Sequence, residues 1–296
     1  MLAIVIPYFK KKYFETTLES LAIQTEKKFK VYIGDDASTE DPTALLKKVE
    51  GQFDFVYHRF EENLGSSSLT KQWERCVSLV TQEDWVMILG DDDILGKNVV
   101  EAFYSNLEEV KSVDVIRFSS CKIDEKGDVS SNIFYHPKRE SSVEFLFKEK
   151  KRSSLSEYAF KRSQIIEIGF KNFPLAWCSD ILAVLEFSNF DLVYSINEAI
   201  VYVRISALSI SGNQDNVRLK NLASEEFSSF IIFKKFHFFN KIQRLSIING
   251  YEVAMKRNRK LKIEDSFTLF KLYVKNSSIL HVFKFFRRLI VGFFKG

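Results

Sequence analysis

The chain has 296 residues, of which 46% are hydrophobic and 28% are charged, an ordinary globular balance that excludes an intrinsically disordered chain. The net charge of +4 is unevenly distributed, because residues 216–296 hold 17 Lys and Arg against 5 Asp and Glu, whereas the other residues hold 26 against 34. This asymmetry predicts an anionic partner for the C-terminal part of the chain.

The cysteines and the N-terminus favour a reduced protein of the cytosol. Cys76, Cys121 and Cys178 have neither metal-type nor redox-type spacing. The apolar run 2–6 has no preceding basic region and no cleavage-site pattern, so we expect a strand there and not a signal peptide. The sequence contains no uninterrupted apolar stretch of about 18 residues, which argues against a membrane-spanning helix.

The first 110 residues alternate between strand-like and helix-like segments. Apolar runs and helical spacing predict strand 2–8, helix 13–24, strand 30–35, helix 42–49, strand 53–59, helix 68–80, strand 85–89 and helix 98–110. Strands that alternate with helices predict an α/β fold with a mostly parallel sheet covered on both faces.

The pattern changes after residue 110. We expect strands 113–123 and 129–135 around a turn at 125–128, a loop at 173–178, helix 179–188, and short strands 192–196 and 200–205. Beyond Asn216 the chain is rich in Phe and Lys with helical spacing. The sequence therefore predicts an α/β domain over residues 1–215 and a basic, Phe-rich helical extension over residues 216–296.

Three predicted strands end in residues of chemical interest, and ligands of an open parallel sheet bind beyond the carboxyl ends of its strands. The first strand ends in Tyr8 and Phe9, the second in residues 34–38 (GDDAS), and the fourth in residues 90–93 (GDDD). Five carboxylates at two strand ends would repel one another. A divalent cation bound together with a diphosphate would relieve that repulsion.

These aspartates also allow a structural interpretation. A single Asp-Asp pair after a strand more often caps a helix or forms a turn, and Asp35 and Asp93 could each do so. Two clusters at separate strand ends favour the metal and nucleotide instead. The GxGxxG pattern of dinucleotide-binding oxidoreductases and the P-loop pattern of kinases and NTPases are both absent from the sequence.

Four ordered motifs give the chain a resemblance to family 2 glycosyltransferases. They are residues 3–7 (AIVIP), 35–39 (DDAST), 62–65 (ENLG) and 89–93 (LGDDD). The resemblance implies a GT-A fold, which is a Rossmann-like sheet that binds a nucleotide-diphosphate sugar. It also implies inverting sugar transfer, with a UDP-linked donor by default, Mn²⁺ or Mg²⁺ as cofactor, and a glycan or lipid-linked acceptor in the synthesis of bacterial surface polysaccharide.

The resemblance assigns the base-binding end of the donor site to the first two strand ends. Asp36 resembles the aspartate that hydrogen-bonds the nucleobase, and a carboxylate is a suitable acceptor for a base N–H. Pro7, Tyr8 and Phe9 would form one wall of the base pocket, with Phe9 as the ring beside the base.

The resemblance assigns the sugar and metal end of the site to the fourth strand. Asp91 resembles the residue that contacts ribose, and Asp92 resembles the metal-binding aspartate of the DxD motif. The chain departs from the pattern at Gly90, where many members have the first aspartate of that motif. Arg204 resembles a basic residue near the diphosphate, while Ser206 stands close to where many members have a metal-binding histidine.

The predicted catalytic base is Asp180. Family members carry this base as the aspartate of a Glu-Asp pair at a helix start, and Asp180 looks like that residue, with Ser179 in place of the glutamate. Alternatively, Ser179 and Asp180 simply begin a helix, because both residue types favour the first turn. As base, Asp180 would take the proton of the acceptor hydroxyl while that oxygen attacks the anomeric carbon.

The C-terminal segment 279–294 predicts a helix with one narrow polar stripe. His281, Lys284, Arg288 and Lys295 fall along that stripe, and nearly all the other positions are apolar. We expect an interfacial helix on an anionic membrane surface, hence a cytoplasmic protein on the inner face of the cell membrane, and no nucleic-acid partner. Packing against the catalytic domain or a second subunit is the alternative.

Two other functions remain open at this point. A sugar nucleotidyltransferase would also use a sheet, a metal and a nucleotide, but it should have a glycine-rich loop after the first strand, where residues 8–12 contain no glycine. In a non-catalytic membrane-binding or scaffold protein, Asp92 and Asp180 would be dispensable.

Overall fold

The computed structural model describes residues 1–148, 153–207 and 209–294, and the chain divides into two compact units. Unit 1 contains Met1–Asn172 and Ser179–Gln214, and unit 2 contains Phe173–Cys178 and Asp215–Gly296.

Within the described residues, unit 1 is built around a nine-stranded sheet. Its strands are β1 (Leu2–Tyr8), β2 (Phe29–Asp35), β3 (Asp54–Arg59), β4 (Trp85–Ile88), β5 (Ile94–Leu95), β6 (Val115–Ile123), β7 (Arg139–Ser141), β8 (Tyr158–Lys161) and β9 (Leu192–Arg204). Their order is β3-β2-β1-β4-β8-β6-β9-β5, and β7 pairs with β9.

Strand direction decides where the functional residues meet. β1 is parallel to β2 and β4, and β2 is parallel to β3. β8 is antiparallel to both β4 and β6, and β6 is parallel to β9. The strands β3, β2, β1, β4, β6 and β9 therefore all run one way, and their carboxyl ends lie along one edge of the sheet.

Seven helices of unit 1 are described. They are α1 (Phe14–Ala22), α2 (Thr43–Lys48), α3 (Leu69–Val77), α4 (Val99–Ser105), α5 (Ser142–Leu146), α6 (Arg162–Ile168) and α7 (Ser179–Phe187). α1 shows why these segments are helical: Phe14, Leu18 and Leu21 recur at steps of four and three, and all three are buried in the core beside β1.

Gly34 of β2 lies at a close approach between the sheet and α3. A Cβ atom at this position would lie 2.3 Å from the Cys76 sulfur and 3.0 Å from the Phe60 ring. The Gln72 side chain of α3 also donates to the Gly34 carbonyl at 3.1 Å. Only glycine lets the helix pack this closely on the strand.

The predicted strand 129–135 is wrong. The segment forms only isolated bridges, Ser120 with Phe134 and Ile123 with Val129, in place of a ladder. The reason is local, because the Lys122 N–H donates to the Ser131 hydroxyl at 2.8 Å and not to a backbone carbonyl.

Further segments differ from the sequence prediction. The strands β5, β7 and β8 and the helices α5 and α6 were not predicted, and β8 is inserted between β4 and β6. The two short strands expected at 192–196 and 200–205 form the continuous strand β9, whose register with β6 shifts between Phe118 and Ser119. The intervening Asn197 is held by the Ser119 hydroxyl at 2.9 Å, so the chain bulges there without leaving the sheet.

Unit 2 is helical, as predicted for the extension. Its longer helices are α8 (Val217–Phe230), α9 (Lys241–Asn258), α10 (Ile263–Asn276) and α11 (Ile279–Phe294). α9 begins at Asn240, which forms a reciprocal capping box with Gln243. The buried core of unit 2 includes Ile248, Leu269 and Phe285. None of the helices searched in the described residues is long and apolar enough to cross a membrane.

Candidate active site

The carboxyl edge of the unit 1 sheet collects the charged residues singled out in the sequence. Phe9 follows β1, Asp36 follows β2, residues 91–93 follow β4, and Arg204 ends β9. These residues are distant in sequence and adjacent in space because their strands run the same way.

Asp91 ties the ends of β1 and β4 together. Its carboxylate accepts hydrogen bonds from the backbone N–H groups of Phe9 and Lys10, both at 2.8 Å. Burial raises the pKa of Asp91 to about 6, although the two N–H donors act in the opposite direction. The carboxylate thereby fixes the backbone that carries the Phe9 ring, and its predicted contact with ribose stays a prediction.

Asp93 and Ser156 hold the other side of the same loop. The Ser156 hydroxyl donates to one Asp93 carboxylate oxygen at 2.5 Å and accepts from the Gly90 N–H at 3.0 Å. The second carboxylate oxygen of Asp93 accepts from the Arg204 N–H at 2.8 Å. Both Asp93 and Ser156 are buried, so their role is to position the loop.

Asp92 lies between Asp91 and Asp93, whose carboxylates are both hydrogen-bonded, and its own surroundings differ. No other described residue donates a hydrogen bond to its carboxylate. Burial, followed by repulsion from Asp93 and Asp91, raises the pKa of Asp92 well above its usual range. The positive charge of Arg204 acts in the opposite direction and offsets this effect only in part.

Arg204, predicted to lie near the diphosphate, is buried at the end of β9. Its guanidinium donates to the backbone carbonyls of Asp92 at 2.9 Å and Asp124 at 2.8 Å. It also lies over the Tyr13 ring, 4.4 Å from the ring centroid. These contacts hold the Asp92 peptide in place, and a direct contact of Arg204 with diphosphate stays a prediction.

Asp36 is held by three protein donors. Its carboxylate accepts from the backbone N–H groups of Leu64 at 2.8 Å and Gly65 at 2.9 Å, and it forms an ion pair with Arg75. A Cβ atom on Gly65 would lie 2.5 Å from an Asp36 oxygen, so glycine permits this approach. The 62–65 motif therefore acts here as a cradle for Asp36.

The side chains of the predicted pocket wall 7–9 differ in exposure. Tyr8 is fully buried, its ring centroid lies 4.6 Å from that of Phe14, and its hydroxyl donates to the Glu40 carbonyl at 2.6 Å. The Tyr8 side chain therefore belongs to the core. Pro7 is partly exposed, and the Phe9 ring is 38% exposed and free to contact a ligand.

Asp180 lies in the first turn of α7, as predicted. The preceding Ser179 is buried, and its hydroxyl donates to the Lys171 carbonyl at 2.7 Å. Asp180 is close enough to Tyr158 to add to the effect of burial, which raises the pKa of that phenol. Tyr158 begins β8 two residues after Ser156, which places Asp180 on the side of the sheet edge where the Asp93 loop lies.

A divalent cation fits this site through Asp92. No cluster of three or more His, Cys, Asp and Glu side chains suited to a metal occurs in the part of the chain that the structure describes. Mg²⁺ and Mn²⁺ are, however, often held by one or two carboxylates together with substrate phosphates. Asp92 meets that requirement only when a diphosphate supplies further oxygen ligands.

Sequence reasoning missed Ser156 and Arg75. Ser156 follows the DDD sequence by more than sixty positions, and Arg75 reaches Asp36 from α3. Neither belongs to a recognisable motif. The partner of a loop aspartate is set by which distant segment the sheet places beside it, and no local pattern records that.

Comparisons with known sequences agree with the motifs. Residues 3–165 match the model of glycosyl transferase family 2. The glycosyltransferase GlyG of Streptococcus pneumoniae serotype 4 is 24% identical over 173 residues, which is 58% of this chain and 56% of that relative. The matched segment thus spans little more than half of the relative's length.

Comparisons with solved structures agree with the fold. S. aureus TarS 1-349 in complex with UDP-GlcNAc has a TM-score of 0.64 at 15% identity, with 92% of this chain and 79% of that chain covered. The mannosyltransferase PcManGT from Pyrobaculum calidifontis, in complex with GDP-Man and Mn²⁺, has a TM-score of 0.54 at 12% identity, with 98% and 79% covered. The predicted GT-A fold is confirmed. Because the family model covers more than half of its residues, this chain belongs to glycosyl transferase family 2.

Proposed function

We propose that this chain is an inverting glycosyltransferase that moves a sugar from a nucleotide-diphosphate donor to a glycan or lipid-linked acceptor. The observation that carries the proposal is the Asp92 carboxylate at the carboxyl edge of the sheet, which accepts no hydrogen bond from another described residue and whose pKa is raised by burial and by Asp93 and Asp91. A donor that brings a divalent cation on its diphosphate adds positive charge beside Asp92, where Arg204 offsets the repulsion only in part. TarS was solved with UDP-GlcNAc and PcManGT with GDP-Man and Mn²⁺, which supports this class of donor, and UDP is our default.

The nucleobase would lie between Phe9 and Asp36. The exposed Phe9 ring is available to stack on a base, and its backbone is fixed from below by Asp91. A carboxylate has about four acceptor sites, and protein donors use three on Asp36, so one remains for a base N–H. Asp91 would contact the ribose, and Arg204 would hold the loop that faces the diphosphate.

Asp180 is the proposed general base. It would accept the proton of the acceptor hydroxyl while that oxygen bonds to the anomeric carbon and the bond from this carbon to the diphosphate oxygen breaks. One displacement of this kind inverts the anomeric configuration. A divalent cation held by Asp92, Mn²⁺ or Mg²⁺, would neutralise charge on the departing diphosphate.

The acceptor and the cellular location are also proposed. We place the enzyme at the cytoplasmic face of the cell membrane, in the synthesis of surface polysaccharide. The support is the excess of 17 Lys and Arg over 5 Asp and Glu in residues 216–296, which suits an anionic surface near a lipid-linked acceptor.

The test is turnover of a panel of UDP- and GDP-sugars with Mn²⁺, measured as release of the nucleoside diphosphate. The Asp180→Asn variant should bind the nucleotide like the wild type and turn over about a hundredfold more slowly or worse. Asp191→Asn, an exposed carboxylate just after α7, serves as the control and should leave turnover unchanged.

Other outcomes would assign another function. Pyrophosphate release from a sugar phosphate and a nucleoside triphosphate would indicate a nucleotidyltransferase. Wild-type turnover by Asp180→Asn would place the base elsewhere. A chain that binds no nucleotide with any cation would contradict the proposal as a whole.

A further inference from the structure

Helix α10 presents an apolar face to the surface. Ile263, Phe267 and Val274 are separated by four and seven positions, so they share one side of the helix. Their exposed fractions lie between 53% and 85%. A helix in a soluble protein normally buries its apolar side, whereas this side is exposed to solvent. Such a surface is typical of a site that contacts a partner.

Helix α11 continues the same surface. Ile279, Phe283 and Phe286 are separated by four and three positions, so they also share one side of their helix, and their exposed fractions lie between 43% and 75%. The Phe286 ring contacts Phe270 of α10, with centroids 5.4 Å apart. We call the two faces together the α10–α11 patch. Its six residues are Ile263, Phe267, Val274, Ile279, Phe283 and Phe286.

The opposite sides of these helices are well packed, so the patch is not the result of a poorly folded end. Tyr273 and Phe285 are almost fully buried, with ring centroids 5.0 Å apart. Glu252 of α9 accepts from Arg288 at 2.6 Å and from the Tyr273 hydroxyl at 2.7 Å. Arg288, predicted to lie in the basic stripe of α11, is therefore used inside unit 2. Lys295 of that stripe lies outside the described residues.

Basic side chains border the patch. Each of three cations follows a patch residue by one position: Lys275, Lys284 and Arg287. The two rings in contact between the helices, Tyr273 and Phe285, each precede a patch residue by one position. Because one position is about 100° of rotation, the cations lie on the outer edges of the pair. Glu264, one position after Ile263, is an exposed carboxylate on the α10 edge, so the edges are basic in balance and not throughout. Lys271 lies on the same edge of α10, over the Phe267 ring at 4.1 Å. Among the described residues these four cations form no ion pair.

We infer that the α10–α11 patch docks on a lipid bilayer with anionic head groups. Apolar side chains between two edges with an excess of cations match the acyl boundary and the phosphate layer of such a surface. A second copy of the chain is a poorer occupant, because pairing of the patch with itself brings together two surfaces of the same net positive charge. This inference concerns docking and not chemistry, so it can fail while sugar transfer stands.

The test uses the full chain and co-sedimentation with vesicles. We expect binding to vesicles of phosphatidylglycerol and phosphatidylcholine, weak binding to phosphatidylcholine alone, and loss of binding at high salt. Phe267→Ser with Phe283→Ser should weaken binding at least about tenfold. The matched control, Val129→Ser with Ile166→Ser, removes two exposed apolar side chains of unit 1 and should bind like the wild type.

The contribution of charge is tested separately. Lys271→Gln with Lys284→Gln should weaken binding to anionic vesicles, whereas Lys47→Gln with Lys97→Gln, which removes the same charge from unit 1, should not. If the Phe double variant does not fold, the single variant Ile263→Ser tests the patch, because Ile263 is 85% exposed.

Three results would overturn the inference. The first is that the wild type does not bind anionic vesicles. The second is that Phe267→Ser with Phe283→Ser binds them as well as the wild type does. The third is that the wild type forms a dimer in solution and this double variant does not. Nucleotide binding measured on the same samples separates failure of docking from failure of the proposed enzyme.

Discussion

Asp91, Asp92 and Asp93 are consecutive and chemically identical, yet their surroundings differ. The Asp91 carboxylate accepts from two backbone N–H groups, and the Asp93 carboxylate accepts from Ser156 and Arg204. The Asp92 carboxylate accepts from no other described residue. The sequence predicted the cluster and its position at a strand end. It could not separate the three roles, because the donors come from the ends of other strands.

Asp92→Asn should remove the metal site without weakening the fold. The pKa of Asp92 is higher in the native state than in the unfolded chain, so the unfolded chain loses the proton more readily. As the pH rises above the pKa of the unfolded chain, ionisation of Asp92 therefore lowers the free energy of unfolding. Asparagine carries no charge to be penalised. In metal-free buffer at pH 7 the free energy of unfolding should equal or exceed that of the wild type, as measured by urea denaturation.

The same variant should lose stabilisation by UDP with Mn²⁺. Asp54→Asn, which changes an exposed carboxylate of the same unit, is the control and should keep it. A variant that still responds to UDP with Mn²⁺, or that unfolds more easily without metal, would contradict the role given to Asp92.

At the scale of elements, burial on both faces of the sheet made several strands predictable from the sequence. β1, β2 and β4 were predicted because strands covered on both faces are continuous apolar runs. β8 was missed because its four residues, YAFK, carry too short a pattern to be recognised. The segment 129–135 alternates like a strand but loses its ladder to a serine hydroxyl, a competition that depends on which strand lies beside it.

The contact between β2 and α3 can be tested with a double-mutant cycle. Gly34→Ala should destabilise the chain by about 1–3 kcal/mol, because the new methyl group collides with the Cys76 sulfur. Cys76→Ala removes that sulfur, so the double variant should recover part of the loss, with a coupling energy of about 1 kcal/mol. Urea denaturation measures all four states.

Gly250→Ala is the matched control for this cycle. A Cβ atom there would meet nothing within 4 Å, and position 250 is inside helix α9, so alanine should not destabilise the chain. Additive effects of Gly34→Ala and Cys76→Ala would show that the helix does not approach the strand as described.

At the scale of the whole molecule, the proposed donor residues belong to one unit. Phe9, Asp36, Asp92 and Asp180 all lie in unit 1, and the described part of unit 2 contributes the helices of the α10–α11 patch. The sequence predicts the same division from the motifs of residues 1–215 and from the basic, Phe-rich composition of residues 216–296. It could not predict that Arg288 turns inward to Glu252, because that pairing depends on how α9 and α11 pack.

Nucleotide should therefore stabilise unit 1, and only with a cation. At a UDP concentration about a hundred times the dissociation constant, binding adds about 2.7 kcal/mol, which raises the melting temperature of a unit this size by roughly 5–10 °C. Calorimetry with UDP and Mn²⁺ measures the shift, and EDTA is the control. An equal shift in EDTA would remove the metal from the donor site.

The insertion of β8 between β4 and β6 also has a consequence during synthesis. β4 pairs with β1 on one side, and its other edge pairs with β8, which is synthesised about 70 residues later. At roughly 5–20 residues per second, this edge of β4 is unpaired for about 4–14 s during synthesis. An open, apolar strand edge is a template for wrong pairing with another nascent chain. Chains arrested before β8 should therefore be more sensitive to protease and more prone to bind a chaperone than chains arrested after it.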